Sequence, residues 1–498
     1  MSVPVGHAER RNSESLVPTG IAQRRHREAL ALIAIIAAAT LVRILFLGKS
    51  LWLDEGVAIS DAWAGGLPLH IWGEWLHRLW HAEFNMVFYF ALLRAWLRIG
   101  SGEAFIRLLS VIPAVATIPF VYALGKRLLN ARAGLIAALL LAVHGAHVLY
   151  SQEARGYTLV VFLSTLSTYF FVAGVESRRP RHWAAYWLAS VLSVYSHFFG
   201  GLVVVAQWVS LAWAPKKKIP WKQFVLATIA VLVCVGPAIA FVLTNKGRQV
   251  EWIAPLRLSQ AVNAISEFAG NPIVLPVYLI LWIVAVRRRP VPKPDEAAAE
   301  EQRWLGALIV SWLVVPFLLA TAISLKRPML VPRYLLICVP AAVLLAAKGA
   351  VSLTAKRRRI AIWTAVILSI AFIGFRYRRP KEDWRGASRY VLTHARQNDA
   401  IVVAPWWSEQ PFAYSLERWP GAKPDEIKTQ KLASKSALLE RTLGHRRVWL
   451  VVYARPQGLT DPETSRVEAA LDSEYHLTQE QPFNLVQVRL YDSPSAPH

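Results

Sequence analysis

The chain runs to 498 residues, 55% of them apolar, with 21 tryptophans and a mean hydropathy of +0.35. Soluble proteins seldom combine such length with such hydropathy, and apolar runs of about 17–25 residues recur along it as bilayer-spanning helices would. The formal charge of +24 is spread in short basic bursts between those runs, a pattern that fits membrane topology and argues against a nucleic-acid partner.

Residues 1–28 form a basic N-terminus containing Arg10, Arg11, Arg24, Arg25 and Arg27, expected on the cytoplasmic side. The first apolar run, 29–47, ends without a small-residue cleavage pattern and reads as a retained helix that exits the membrane. The first outer loop, 48–106, has one moderately apolar stretch at 84–96, and Arg94 and Arg98 mark that stretch as an amphipathic helix lying in the interface. Further spans are expected at 107–125, 133–150, 157–175, 183–195, 200–214, 224–243, 272–286, 305–323, 334–350 and 360–375. This threading gives eleven spans in a membrane domain covering 29–379, with every inner loop strongly basic; Arg376, Arg378 and Arg379 run against the charge rule on the outside. Cys234 and Cys338 fall inside apolar runs and read as packing residues with no disulfide or zinc role.

From Pro380 the composition turns polar. Helical patterns at 384–396, 432–443 and 464–474 alternate with apolar strands at 400–405, 448–453 and 484–491. That alternation predicts a small α/β domain over 380–498, placed outside the cytoplasm by the span count.

Asp54 and Glu55 sit a few residues beyond the first apolar run, beside Trp52 and Leu53. Carboxylates are costly to hold near hydrocarbon. The pair is therefore either solvated loop decoration or the working acid/base of an enzyme at the bilayer surface, where a positioned carboxylate takes a proton from a hydroxyl. A divalent cation is a weaker alternative, since one loop supplies few oxygen ligands. Arg107, Lys326, Arg327 and Arg333 lie at helix mouths on the same expected face, and arginine suits bidentate contact with phosphate. Snorkelling to headgroups is the bland reading of each. Glu153 and Arg155 place opposite charges at another mouth, with a local ion pair as the plain alternative, and His197 reads as structural or as a donor to phosphate. His77, His81 and Glu83 lack a fixed metal-ligand spacing, so neither a metal nor another cofactor is expected. Gly-x-x-x-x-Gly-Lys-Ser/Thr is absent, so the substrate itself is expected to carry the driving force.

Six stretches in order carry a family resemblance: Leu-Trp-Leu-Asp-Glu at 51–55, Phe-Ile-Arg-Leu-Leu-Ser at 105–110, Gly-Lys-Arg-Leu at 125–128, Tyr-Ser-Gln-Glu-Ala-Arg-Gly-Tyr at 150–157, Tyr-Ser-His-Phe-Phe-Gly at 195–200 and Pro-Arg-Tyr-Leu-Leu at 332–336. With them the chain resembles membrane glycosyltransferases of the GT-C fold, in the family 39 group of protein O-mannosyltransferases and lipid A aminoarabinose transferases. The resemblance implies a polyprenyl-phosphate-linked sugar donor and an extracytoplasmic acceptor hydroxyl on a lipid, glycan or protein. It implies Asp54 as catalytic base with Glu55 beside it, and Arg107 as a contact to the donor phosphate. Where the family commonly has Pro-Pro-Leu-Tyr-Tyr, this chain has Asn85-Met86-Val87-Phe88-Tyr89, a departure in the loop that shapes lipid and acceptor geometry. The expectation is an inverting glycosyltransferase of a bacterial inner membrane. Its rivals are a glycolipid flippase, which would bury charges in mid-helix, and a polymerase or ligase using a diphosphate-linked oligosaccharide.

Overall fold

The computed structural model describes residues 16–63, 68, 70–81, 83–244, 253–287, 296–417, 425–427, 438, 442, 444–454 and 461–494. Arg10, Arg11, Arg288, Arg289 and most of the helix expected at 432–443 lie outside them. The chain begins with α1 (Leu16–Ile44), followed by three shorter helices over the loop, α2 (Leu53–Trp63), α3 (Trp72–His81) and α4 (Val87–Trp96). The membrane part continues through α5 (Glu103–Leu128), α6 (Ala131–Ala142), α7 (Gly145–Ser151), α8 (Tyr157–Ser177), α9 (Pro180–Ser196), α10 (Gly200–Ser210) and α11 (Trp221–Thr244). It closes with α12 (Leu258–Phe268), α13 (Leu275–Arg287), α14 (Glu296–Ser324), a 3₁₀ segment (Pro332–Cys338), α15 (Val339–Val351) and α16 (Ala355–Arg378).

Each of the eleven expected apolar runs is helical, the third as the pair α6 and α7, bent by 56°. Among the described residues six helices are long and apolar enough to cross a membrane, or seven with the bent pair counted as one span. Helices α10 and α13 are apolar but shorter. Small residues allow close approach: a Cβ on Gly125 of α5 would meet Gly134 of α6 at 2.8 Å, and one on Gly349 of α15 would run into the Leu281 carbonyl of α13. Helices α8 and α9 are joined by Ser164–Ser193 and Ser167–Ser190 hydroxyl pairs, each at 2.8 Å, with Gln207 of α10 donating to Ser167 and Thr168. Such pairing satisfies polar groups internally, where lipid offers no partner.

The break between α6 and α7 frees backbone carbonyls. Arg43 of α1, fully buried, donates to the carbonyls of Leu141 and Ala142 and contacts His147 Nδ1 at 2.9 Å. The charge expected to mark 84–96 as amphipathic turns inward. Tyr89, Phe90, Leu93 and Arg94 of α4 are buried, and Arg94 donates to the carbonyls of Ala62, Pro68 and Ile71. Its charge therefore ties α4 to the backbone of the first outer loop from within.

The C-terminal unit comprises α17 (Trp384–His394), β1 (Ala400–Ala404), α18 (Glu409–Glu417), β2 (Asp425–Ile427), β3 (Arg447–Tyr453), α19 (Pro462–Leu471), β4 (His476–Phe483) and β5 (Val486–Asp492). The sheet order is β2-β1-β3-β5-β4, with β1 parallel to β2 and β3, and β5 antiparallel to β3 and β4. Alternate strand residues serve two cores: Ala400, Val402, Val448 and Leu450 pack with Val467 and Leu471 of α19, while Ile401, Val403, Trp449 and Val451 pack with Trp384 and Phe412. Helix α18 carries this unit onto α2, where a Cβ on Gly56 would meet Pro411 N at 2.6 Å.

Candidate active site

Helix α2 begins within the acidic loop, at Leu53: Glu55 N and Gly56 N donate to the Trp52 carbonyl, which makes Trp52 the N-cap. Asp54 and Glu55 then occupy the second and third helical positions, where carboxylates suit the positive end of the helix dipole. Adjacent residues on a helix do not share a face, and the two acids part company here.

Glu55 is fully buried and turns into the protein. Arg107 of α5 grips it bidentately, Nε to Oε1 at 2.7 Å and Nη2 to Oε2 at 2.6 Å. Ala154 N donates to Oε1, Trp52 N to Oε2, and Lys381 Nζ stands 3.5 Å from Oε2. Burial by itself pushes the Glu55 carboxyl up, but Lys381 and Arg107 with these hydrogen bonds hold it down at about 2. Both carboxylate oxygens are thus occupied by protein donors, which sets Glu55 in the support of the site and against its expected place beside the base. The same geometry corrects Arg107. Its Nη1 also donates to the carbonyls of Leu47 and Lys49, and its Nη2 to Ser50. Five N–H groups are spent on protein acceptors, and none remains for a phosphate.

Asp54 is only partly buried, and its Oδ2 lies 3.1 Å from Nη2 of Arg333, at the start of the 3₁₀ segment that leads into α15. The Arg333 guanidinium sits 5.9 Å from the ring centroids of Trp52, Tyr157 and Tyr334. Arg155 stands 5.9 Å from the Tyr157 ring and donates to the Asp54 carbonyl at 3.5 Å. An arginine among aromatic faces keeps its planar fork pre-organised for an anion. Tyr157 is buried with its hydroxyl unpartnered among the described residues.

More carboxylates approach the same point. Burial pushes Glu83 up to about 8 against the pull of Arg155, with Asp61 and Asp54 adding to the rise. Burial likewise lifts Asp61 to about 7. Glu153 rises to about 7 by burial, opposed by Lys381 and Arg333 and reinforced by Glu55 and Asp54. His197 is driven down to about 3 by burial and by Arg155 and Arg333, and its Nδ1 accepts Phe199 N–H. The neutral ring also packs 4.6 Å from Tyr334, which places it in the wall of the site.

The structure thus brings together Asp54, Arg333, Arg155, Glu153, Glu83 and His197 from the residues singled out in the sequence. It places Glu55 and Arg107 behind them, in the support. Lys326 and Arg327 are exposed on the turn after α14, and no ion pair joins them to Asp54. Lys381 and Asp61 were missed. The only sequence signal for Lys381 is the Lys-Glu-Asp run following Pro380, and for Asp61 its place seven residues, two helical turns, beyond Asp54. Among the described residues no group of three or more His, Cys, Asp or Glu is arranged to hold a metal ion.

Three solved structures share this architecture. The apo state of ArnT from Cupriavidus metallidurans superposes with a TM-score of 0.60 at 13% identity, over 94% of this chain and 99% of that one. The fold is GT-C. ArnT bound to undecaprenyl phosphate matches with a TM-score of 0.58 at 12% identity and the same coverage. A third GT-C structure is the archaeal oligosaccharyltransferase AglB from Archaeoglobus fulgidus, in complex with an inhibitory peptide and a dolichol-phosphate. It matches with a TM-score of 0.54 at 13% identity, over 86% of this chain and 69% of that one. The family model for dolichyl-phosphate-mannose-protein mannosyltransferase matches residues 85–241. No curated protein matches the sequence significantly. The GT-C fold therefore rests on superposition over 94% of the chain, and the family match on α4 through most of α11.

Proposed function

We propose that this chain is a glycosyltransferase that moves a sugar from a polyprenyl-phosphate donor to an acceptor hydroxyl on the extracytoplasmic side of a bacterial inner membrane. Asp54 takes the hydroxyl proton as the acceptor oxygen bonds to the anomeric carbon. The bond from that carbon to the lipid phosphate breaks, and its electron pair leaves with the phosphate. Arg333 receives the developing charge. Lys326 and Arg327 stand exposed nearby in the sequence, where a phosphate headgroup would first arrive. Attack opposite the leaving group inverts the anomeric centre.

The observation that carries this reading is the 3.1 Å pairing of Asp54 with Arg333 inside the ring of Trp52, Tyr157 and Tyr334. A base and an anion clamp in contact are the two parts the transfer needs, because a phosphate ester is a good leaving group with little need of an acid. The donor phosphate competes with Asp54 for Arg333 and so frees the carboxylate for the hydroxyl. Support comes also from the relatives, since ArnT is seen with undecaprenyl phosphate and AglB with a dolichol-phosphate.

The test is the purified full chain in nanodiscs, supplied with radiolabelled sugars on polyprenyl monophosphate or polyprenyl diphosphate and with bacterial glycolipid and glycoprotein acceptors. Label transfer with release of polyprenyl phosphate is expected from the monophosphate donor. Turnover of the diphosphate donor alone, or movement of intact glycolipid across the bilayer without transfer, would refute it.

A further inference from the structure

Resting on the reading of Asp54 as the base, we propose that the C-terminal α/β unit is a positioning element of the active site: Lys381 and Glu382 straddle Asp54 and complete, from another part of the chain, the cap of the helix that carries it.

Helix α2 has an incomplete cap of its own. In a capping box the N-cap side chain accepts a first-turn N–H, and an acid at the third helical position reaches back to the N-cap N–H. Glu55 performs the second task, accepting Trp52 N–H at 3.2 Å. Trp52 cannot perform the first, because its indole is a donor only. Glu382 Oε2 supplies a side-chain acceptor from elsewhere, taking the N–H of Leu53, the first helical residue and another orphan donor of the first turn, at 2.9 Å. Glu382 is itself 5% exposed and is pinned by Trp384 Nε1, which donates to the same oxygen at 2.6 Å. Lys381, the preceding residue, reaches Glu55 Oε2 at 3.5 Å. One dipeptide thus fixes residues 53 and 55, and Asp54 lies between them.

Other contacts from the same region keep that dipeptide in place. Arg385 pairs with Glu103 and donates to the Gly48 carbonyl at 2.8 Å. Lys49 Nζ donates to the carbonyls of Tyr377 and Arg379. Tyr414 of α18 donates to the Ser101 carbonyl. Neither Lys381 nor Glu382 is assigned to touch the sugar or the acceptor; Glu382 acts through the helix it caps.

The experiment uses the full chain in nanodiscs and three readouts: donor kinetics, undecaprenyl phosphate binding and hydrogen exchange at the Leu53 amide. First-turn amides of an uncapped helix exchange readily. In the native protein the Leu53 amide is expected to be protected, a result that needs no variant to fold. Glu382→Ala is expected to lower kcat about tenfold, the scale of a lost cap, with KM and lipid affinity unchanged within about twofold and Leu53 deprotected. Glu382→Gln keeps an acceptor oxygen and is expected to restore most of both kcat and protection. An unprotected Leu53 in the native protein, a Glu382→Ala variant with native kcat, or a Gln variant as impaired as the Ala variant would each overturn the cap. Failure of the catalytic reading shows separately, as an Asp54→Asn variant that still transfers sugar while Leu53 stays protected.

Discussion

Replacing Arg107 by alanine tests the division of labour between the two acids of the loop. The change removes two charge-assisted bonds to Glu55 and the donors to the carbonyls of Leu47, Lys49 and Ser50. Glu55, 0% exposed in the native fold, would be left with only two backbone N–H groups and a Lys381 ammonium 3.5 Å away. Removing one partner of a buried ion pair typically costs about 3–5 kcal/mol, chiefly because the other charge stays behind uncompensated. Arg107→Ala should therefore lower the melting temperature of the purified protein by several degrees whether or not polyprenyl phosphate is present. Glu55→Ala combined with Arg107→Ala should recover part of that loss, since no bare charge remains. Thermal unfolding with and without undecaprenyl phosphate, alongside lipid binding, provides the readout. An Arg107→Ala protein with native melting but abolished lipid binding would refute the structural role and return Arg107 to the phosphate.

Arg333→Ala should weaken undecaprenyl phosphate binding and reduce kcat/KM by well over tenfold, with Arg333→Lys recovering only part, because a lysine lacks the planar fork; isothermal titration and donor kinetics check both. Gly56→Ala should cost about 1–3 kcal/mol by overpacking, since its Cβ would fall 2.6 Å from Pro411 N, and should speed proteolytic release of the C-terminal unit. The carboxyl of Glu153 is raised to about 7 in the fold, so its contribution is fully present below its ordinary value and is lost as pH rises through about 7. Glu153→Gln should accordingly raise melting temperature at pH 8 more than at pH 5; an equal shift at both values would contradict the assignment.

The eleven helical runs were legible because lipid favours apolar stretches with internally satisfied backbones, whereas sequence alone did not show that among the described residues only six helices, or seven with the bent pair, reach spanning length. The acidic loop was legible for the complementary reason, since charge beside such a run needs an explanation. The split between Asp54 and Glu55 was not legible, because it depends on a helix starting at Leu53, which turns adjacent side chains apart. Arg107 was misassigned for a related reason: nothing in its local sequence tells that the backbone of 47–50 folds back to meet it. Arg94 looked like the polar mark of an interfacial amphipathic helix because the carbonyls it serves belong to Ala62, Pro68 and Ile71, 23 to 32 residues earlier in the chain. In the C-terminal unit the apolar strands β1, β3 and β5 stood out, whereas β4 did not. His-Leu-Thr-Gln-Glu-Gln-Pro-Phe is a polar edge strand, mostly exposed, with no alternation to read. Lys381 and Glu382 looked like a domain boundary, and their partners in α2, Glu55 and Leu53, lie more than 300 residues away in sequence.

The most direct measurement of the central claim is the single-turnover rate of Asp54→Asn with a bound polyprenyl-phosphate sugar, which isolates the chemical step from lipid binding. Loss of a positioned base should slow transfer by about 10²–10⁴-fold while undecaprenyl phosphate still binds. Transfer at the native rate would contradict the account.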